Sequence, residues 1–178
     1  FVDAGLLAPL NDMLDQNGLK DTYQEGLLDN YSFDGNVYAL PDGNNIEVVY
    51  YNKELFEQAG ITKVPETFDE FLADVKIFKE KGITPLAIGE KDSWTGSFLF
   101  MNILLRTNGG PGFLQDVMDG KKTFEDPAFI EAVDKFQELV QAGAFPDGAT
   151  SIDATAGGNI FKSGQAAMWV IGSWETGA

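Results

Sequence analysis

Cysteine and histidine are both missing from this 178-residue chain. Without cysteine there is no disulfide framework, no thiolate zinc site and no thiol nucleophile. Without histidine the commonest general base and metal ligand is gone as well. Positive charge is scarce: 12 Lys and Arg stand against 28 Asp and Glu, a formal net charge of −16. So acidic a surface repels phosphate backbones and anionic lipid, which argues against nucleic acid and polybasic membrane contacts. Long apolar runs are lacking too. The most apolar stretch, "SFLFMNILL" at 97–105, falls far short of the roughly 18 residues of a membrane span.

What is present suits a packed globule. Hydrophobic residues make up 44% of the chain and aromatics 12%, too much for a disordered tail. The length fits one ordinary domain or a little more. The chain opens on Phe1 with no signal peptide before it, and stops just after an apolar strand. An internal piece of a longer protein is therefore expected.

Two short amphipathic helices separated by Gly18 are expected in residues 1–32, then a turn at Asp34-Gly35 leading into a strand. Val48 to Tyr51 read as a buried strand that runs into a brief helix stopped at Gly60. Thr67 and Glu70 form a capping box for a helix over 67–81, with Phe68, Phe71, Leu72, Val75 and Phe78 on one face. "TPLAIG" (84–89) is a short buried strand, and "SFLFMNILLRTNGG" a helix apolar on nearly every side. Asp126 as N-cap and Pro127 at the first helical position open a further helix. Its buried stripe is predicted as Phe129, Ile130, Val133, Phe136 and Val140. A small helix near 153–163 and a strand at "AAMWVIGSW" follow. Continuous apolar strands alternating with helices imply an α/β architecture with helices on both faces of the sheet.

In such sheets ligands bind beyond the carboxyl ends of the strands. The loops "PDGNN" (41–45), "GEKDSWTGS" (89–97) and "GSWETG" (172–177) supply Asp42, Asn44, Asn45, Asp92, Trp94, Trp174 and Glu175. Trp169 lies inside an apolar run and reads as core. Trp174 follows Gly172-Ser173, where the chain leaves the sheet. An indole there can stack on the CH face of a sugar ring while its N–H reaches a polar partner, or simply seal the sheet end. A carboxylate such as Asp92 can accept from vicinal hydroxyls, and an amide such as Asn45 both donates and accepts. The plain alternative for Asp92 is a helix cap or a solvated turn. "GGPGF" (109–113) lacks the Lys-Ser/Thr ending of a phosphate loop. No cofactor or metal site is expected, and paired carboxylates say little in so acidic a chain.

The run "YYNKELFEQAGI…PETFDEF", with "FVDAGLLAPLND", "GNVYALPDG" and "FKSGQAAMWVIGSWE", resembles the extracellular solute-binding proteins of ABC sugar importers, the maltose-binding-protein-like family. The resemblance implies a periplasmic-binding-protein-like two-lobe fold, with residues 1–42 the tail of lobe one and 43–178 most of lobe two. "VVYYNK" would be a strand crossing between lobes, with Asn52 capping the helix after it. The family's stacking tryptophan falls on Trp174, its acidic–aromatic pair near Asp92 and Trp94. Its hinge-side polar contact falls on Asn45, where maltose-binding protein has a carboxylate, so the same sugar is not implied. Asn44 and Glu175 complete the candidate site. The implied function is extracytoplasmic capture of a sugar, in the periplasm or lipid-anchored at the cell surface, and delivery to permease subunits without catalysis. Two rivals stand beside it: a carbohydrate-active hydrolase using Asp92 and Glu175 as acid and base, and a sensor or adhesion module. Self-association of the piece through unpartnered apolar surface is a further expectation.

Overall fold

In the computed structural model, which describes residues 1–177, the chain divides between Asn45 and Ile46 into two units. The first is organised by a two-residue hairpin. Strands β1 (Ser32–Phe33) and β2 (Asn36–Val37) pair antiparallel around Asp34 (φ 49°) and Gly35 (φ 77°), the successive left-handed pair that a type I′ turn demands. Asn11, at the start of helix α1 (Asn11–Gln16), ties the helix to the hairpin: its Oδ1 accepts from Val37 N–H at 2.9 Å. Leu14 and Val37 are the buried residues of this small unit.

The second helix expected before residue 32 is absent. Single 3₁₀ turns at Lys20–Thr22 and Asp29–Tyr31 stand in its place. Gly18 and Gly26 are both left-handed (φ 62° and 80°), so the stretch between them is too short to nucleate and extend a helix.

The second unit is built on a three-stranded sheet in the order β3 (Glu47–Tyr51), β5 (Ala166–Gly172), β4 (Thr84–Ala87). β4 runs parallel to β5 and β3 antiparallel to it. Every residue of β5 is buried, as its continuous apolar sequence requires of a central strand covered on both faces. Met168 and Val170 pack with Phe56, Val75, Phe78, Leu99 and Leu104 on one face. Trp169 and Ile171 face the other way, against Ile160 and Phe161, so helices do cover both faces.

β3 corrects the expectation of a buried strand. Its residues alternate between exposed and half-buried, and Val49 (51% exposed) and Tyr51 (41%) lie open. The strand is at a sheet edge with a neighbour on one side only, so an apolar sequence is not matched by cover.

Helix α2 (Lys53–Ala59) is capped by the Asn52 side chain, which accepts from Leu55 N–H, and ends on left-handed Gly60. Helix α3 (Phe68–Glu80) is capped by Thr67, accepting from Glu70 N–H. Glu70 reaches back to Glu66 N–H at 2.9 Å, one residue earlier than the usual reciprocal box. Helix α4 (Thr95–Thr107) is followed by α5 (Phe113–Met118), a helix hidden in the sequence between a glycine-rich turn and "DGKK".

Helix α6 (Pro127–Gln141) has the predicted cap and N1 proline, but its buried face matches the predicted stripe only in part: Phe129 and Phe136 pack against the core. Ala132 and Leu139 are fully buried, whereas Ile130, Val133 and Val140 are 40–53% exposed. α4 approaches closely, its Thr107 Oγ1 donating to Ala128 O at 2.8 Å, and a small residue at 132 permits that approach. Helix α7 (Ala154–Lys162), capped by Asp153, leads into β5. Among the described residues no helix is long and apolar enough to cross a membrane.

Candidate functional site

Because β3 opposes β5, pairing Glu47 with Gly172, the carboxyl ends of β4 and β5 and the start of β3 share one end of the sheet. The loop after β4 is stitched there from within. Glu90 Oε2 accepts from Gly96 N–H (2.6 Å) and Thr95 Oγ1 (2.7 Å), and so caps α4 in place of a side chain at the N-cap. Glu90 N–H and Lys91 N–H donate to Ala149 O and Ile152 O, both at 2.9 Å. A Cβ on Gly89 would meet Asp153 O at 2.0 Å, and one on Gly157 would meet Gly89 N at 2.3 Å; both positions need glycine for close backbone approach. Ser93, with φ 58°, turns the chain so that Trp94 enters the first turn of α4.

Trp94 and Trp174 come together through a residue that the sequence reading placed in an all-round apolar helix. The Phe98 ring lies 5.6 Å from the Trp94 ring at 90°, and 5.6 Å from the Trp174 ring at 61°. Both are edge-to-face contacts of the favoured kind. Trp94 is 40% exposed and Trp174 46%, whereas Trp169 is 6% exposed. The three tryptophans thus divide into two that face solvent and one that is core. Phe98, in the first turn of α4, stands four residues after Trp94 at the N-cap, close to the spacing at which helical side chains meet, so that signal was available in the sequence.

The turn bearing Trp174 is pinned on several sides. Ser173 N–H donates to Ile46 O at 2.8 Å, and Ile46 N–H to Ser173 Oγ at 3.2 Å. Tyr50 and Thr176 share a hydroxyl–hydroxyl bond of 2.7 Å. Glu175 Oε2 lies 2.7 Å from Lys162 Nζ, and the same ammonium sits over the Trp169 ring at 5.6 Å.

Two of the three carboxylates among the sequence candidates, Asp92 and Glu175, therefore have internal partners. Asp92 Oδ2 accepts from Ala154 N–H at 3.0 Å, helping to cap α7, which matches the plain alternative weighed for it. Glu175 is held in its ion pair. Asn44 and Asn45 are exposed and belong to the first unit, whose last residues they are; Asp42, also exposed, belongs to that unit too. Among the described residues, no cluster of three or more carboxylates could hold a metal ion.

The family model for bacterial extracellular solute-binding proteins matches residues 1–178. A chitin oligosaccharide binding protein of known structure is similar to the chain at 35% identity and a TM-score of 0.91, over 98% of this chain and 43% of that one. A structure from work on xylan utilization by the thermophilic bacterium Caldanaerobius polysaccharolyticus is similar at 38% identity and a TM-score of 0.88, over 96% and 43%. An ABC transporter extracellular-binding protein of Pyrococcus horikoshii is 27% identical over 99% of this chain and 40% of its own length. The chain thus spans about two-fifths of the proteins it matches. With the fold, the family match along its whole length and these relatives in agreement, the chain belongs to the bacterial extracellular solute-binding proteins.

Proposed function

We propose that the chain supplies the sugar-facing end of one lobe in an extracytoplasmic carbohydrate-binding protein that delivers its ligand to ABC permease subunits. The observation that carries this reading is the pair of half-exposed indoles, Trp94 and Trp174, joined by Phe98 at the carboxyl ends of β4 and β5. Indole surfaces suit the CH faces of sugar rings, and their N–H groups suit hydroxyls. The 35% identical chitin oligosaccharide binding protein supports the same ligand class. Asn44 and Asn45 are proposed as amide partners for hydroxyls, and Asp92 as an acceptor through whatever capacity its bond to Ala154 leaves. Glu175 acts in this reading by holding the Trp174 turn. Residues 1–42 are assigned to the end of lobe one and 43–178 to most of lobe two, a boundary three residues before the division between the two units, in the periplasm or anchored to the cell surface. The open edge of β3 is the surface through which this piece would self-associate.

The hydrolase alternative is weaker on this geometry. Both carboxylates that it would need already serve the fold: Asp92 accepts from the Ala154 N–H and Glu175 pairs with the Lys162 ammonium. Calorimetric titration of the full-length protein with neutral oligosaccharides, with mass analysis of the sugar afterwards, tests the reading. Saturable binding of intact sugar is expected. Cleaved product would sink it in favour of the hydrolase.

A further inference from the structure

Gly172 ends β5 directly beneath the indole of Trp174. A Cβ built there would lie 1.8 Å from Cζ3, 2.1 Å from Cε3 and 2.2 Å from Cη2 of that ring. The ring therefore occupies the space that any other residue would fill with its own Cβ. The usual reason for a glycine does not apply, since its φ lies outside the left-handed region and it pairs in register with Glu47. What remains is the ring itself.

If a methyl group were placed at this position, either the turn or the indole would have to move. The turn is held by the two Ile46–Ser173 hydrogen bonds, by Tyr50–Thr176 and by Lys162–Glu175. The indole is held on its inner side by Phe98 at 5.6 Å and is otherwise 46% exposed. The ring is the softer element, and it would swing toward solvent. The geometry points to Gly172 as a positioning residue: its missing side chain, with Phe98 as the second support, fixes where the Trp174 indole stands. A Cβ at 172 removes that placement without touching the ligand. The consequence for sugar rests on the function proposed above; the placement of the ring does not.

The experiment is a ¹⁵N spectrum of the indole N–H signals in the present chain, with Gly172→Ala, Trp174→Ala and the double variant. Gly172→Ala should shift the Trp174 signal and leave that of Trp169 in place. Any loss of melting temperature it causes should disappear in the Trp174→Ala background, where no ring is left to collide with. An unmoved Trp174 signal, or the same thermal loss in both backgrounds, overturns the assignment. Chitotriose and xylotriose at millimolar concentration then separate the two ideas. Sugar-induced shifts of the wild-type Trp174 signal, roughly tenfold weaker in affinity for Gly172→Ala, support both. If wild type gives no response while the Gly172→Ala shift is present, the sugar reading fails and the positioning role stands. Equal affinity in wild type and Gly172→Ala overturns the role in recognition.

Discussion

Trp169 and Trp174 are five positions apart and do opposite work. Trp169 is buried against Tyr50 and Phe161, and a Cβ on Gly158 would meet its ring at 2.8 Å, so α7 is packed onto it without slack. Trp169→Ala should cost about 3–5 kcal/mol of stability, as core aromatic truncations do. Trp174→Ala should leave the melting temperature nearly unchanged, and in the full-length protein weaken sugar binding by about 1–3 kcal/mol. Equal thermal losses for the two variants would contradict the division. With no histidine in the sequence, binding should also be flat between about pH 6 and 8, where ordinary carboxylates are already ionised. A binding midpoint near neutrality would reveal a carboxyl held protonated. The contrast between the two tryptophans was legible because one sits within an apolar run and the other just past a Gly-Ser break. The partners of Asp92 and Glu175 were not legible. Ala154 is 62 residues from Asp92, and nothing local to either carboxylate announces what will reach it.

Helices whose ends carry strong local chemistry were readable, and α3 shows why. Thr67 caps Glu70 N–H within one turn, a contact that needs no tertiary information. Thr67→Ala should cost about 1 kcal/mol in a urea titration. The hydrogen bond from Lys63, with that from Glu66 N–H, holds the Glu70 carboxyl below its ordinary pKa and raises that of Lys63. A depressed carboxyl stabilises the fold above the unfolded pKa and loses that contribution as pH falls through the folded one. Glu70→Gln should therefore narrow the gap in urea midpoint between about pH 6 and pH 3. A gap as wide as wild type would dismiss the Lys63–Glu70 contact as a source of acid sensitivity. The faces of elements were harder to read. The apolar arc of α6 is broader than the strip that its neighbours cover, and only the approach of α4 selects Ala132 over Val133. Leu139→Ala should cost about 2–5 kcal/mol, and Val133→Ser about 0.5 kcal/mol or less, as at exposed positions. The reverse order would restore the predicted stripe. Similarly, the composition of β3 announced a strand but could not say that it lies at an edge.

For the whole molecule, the alternation of continuous apolar strands with helices predicted a sheet covered on both faces. Strand order and the position of the unit boundary depend on pairings between distant segments, which no local pattern encodes. The exposed β3 edge, with Val49 and Tyr51 open, predicts concentration-dependent association of this piece in sedimentation, reduced by Val49→Lys. A monomer at every concentration would remove that expectation. The position of β5 has a consequence in time. It is the strand that both others need, and it is the last of the three to be made: Ile46 and Ser173, which clasp the sheet end, are 127 residues apart along the chain. As the polypeptide emerges from the ribosome, β3 and β4 have no neighbour to pair with until β5 arrives, and loop closures this long are slow. The sheet therefore acts as a clock that delays its own assembly until residue 172 has been made. Pulse proteolysis of stalled nascent chains should show resistance appearing only once residue 172 has cleared the exit tunnel.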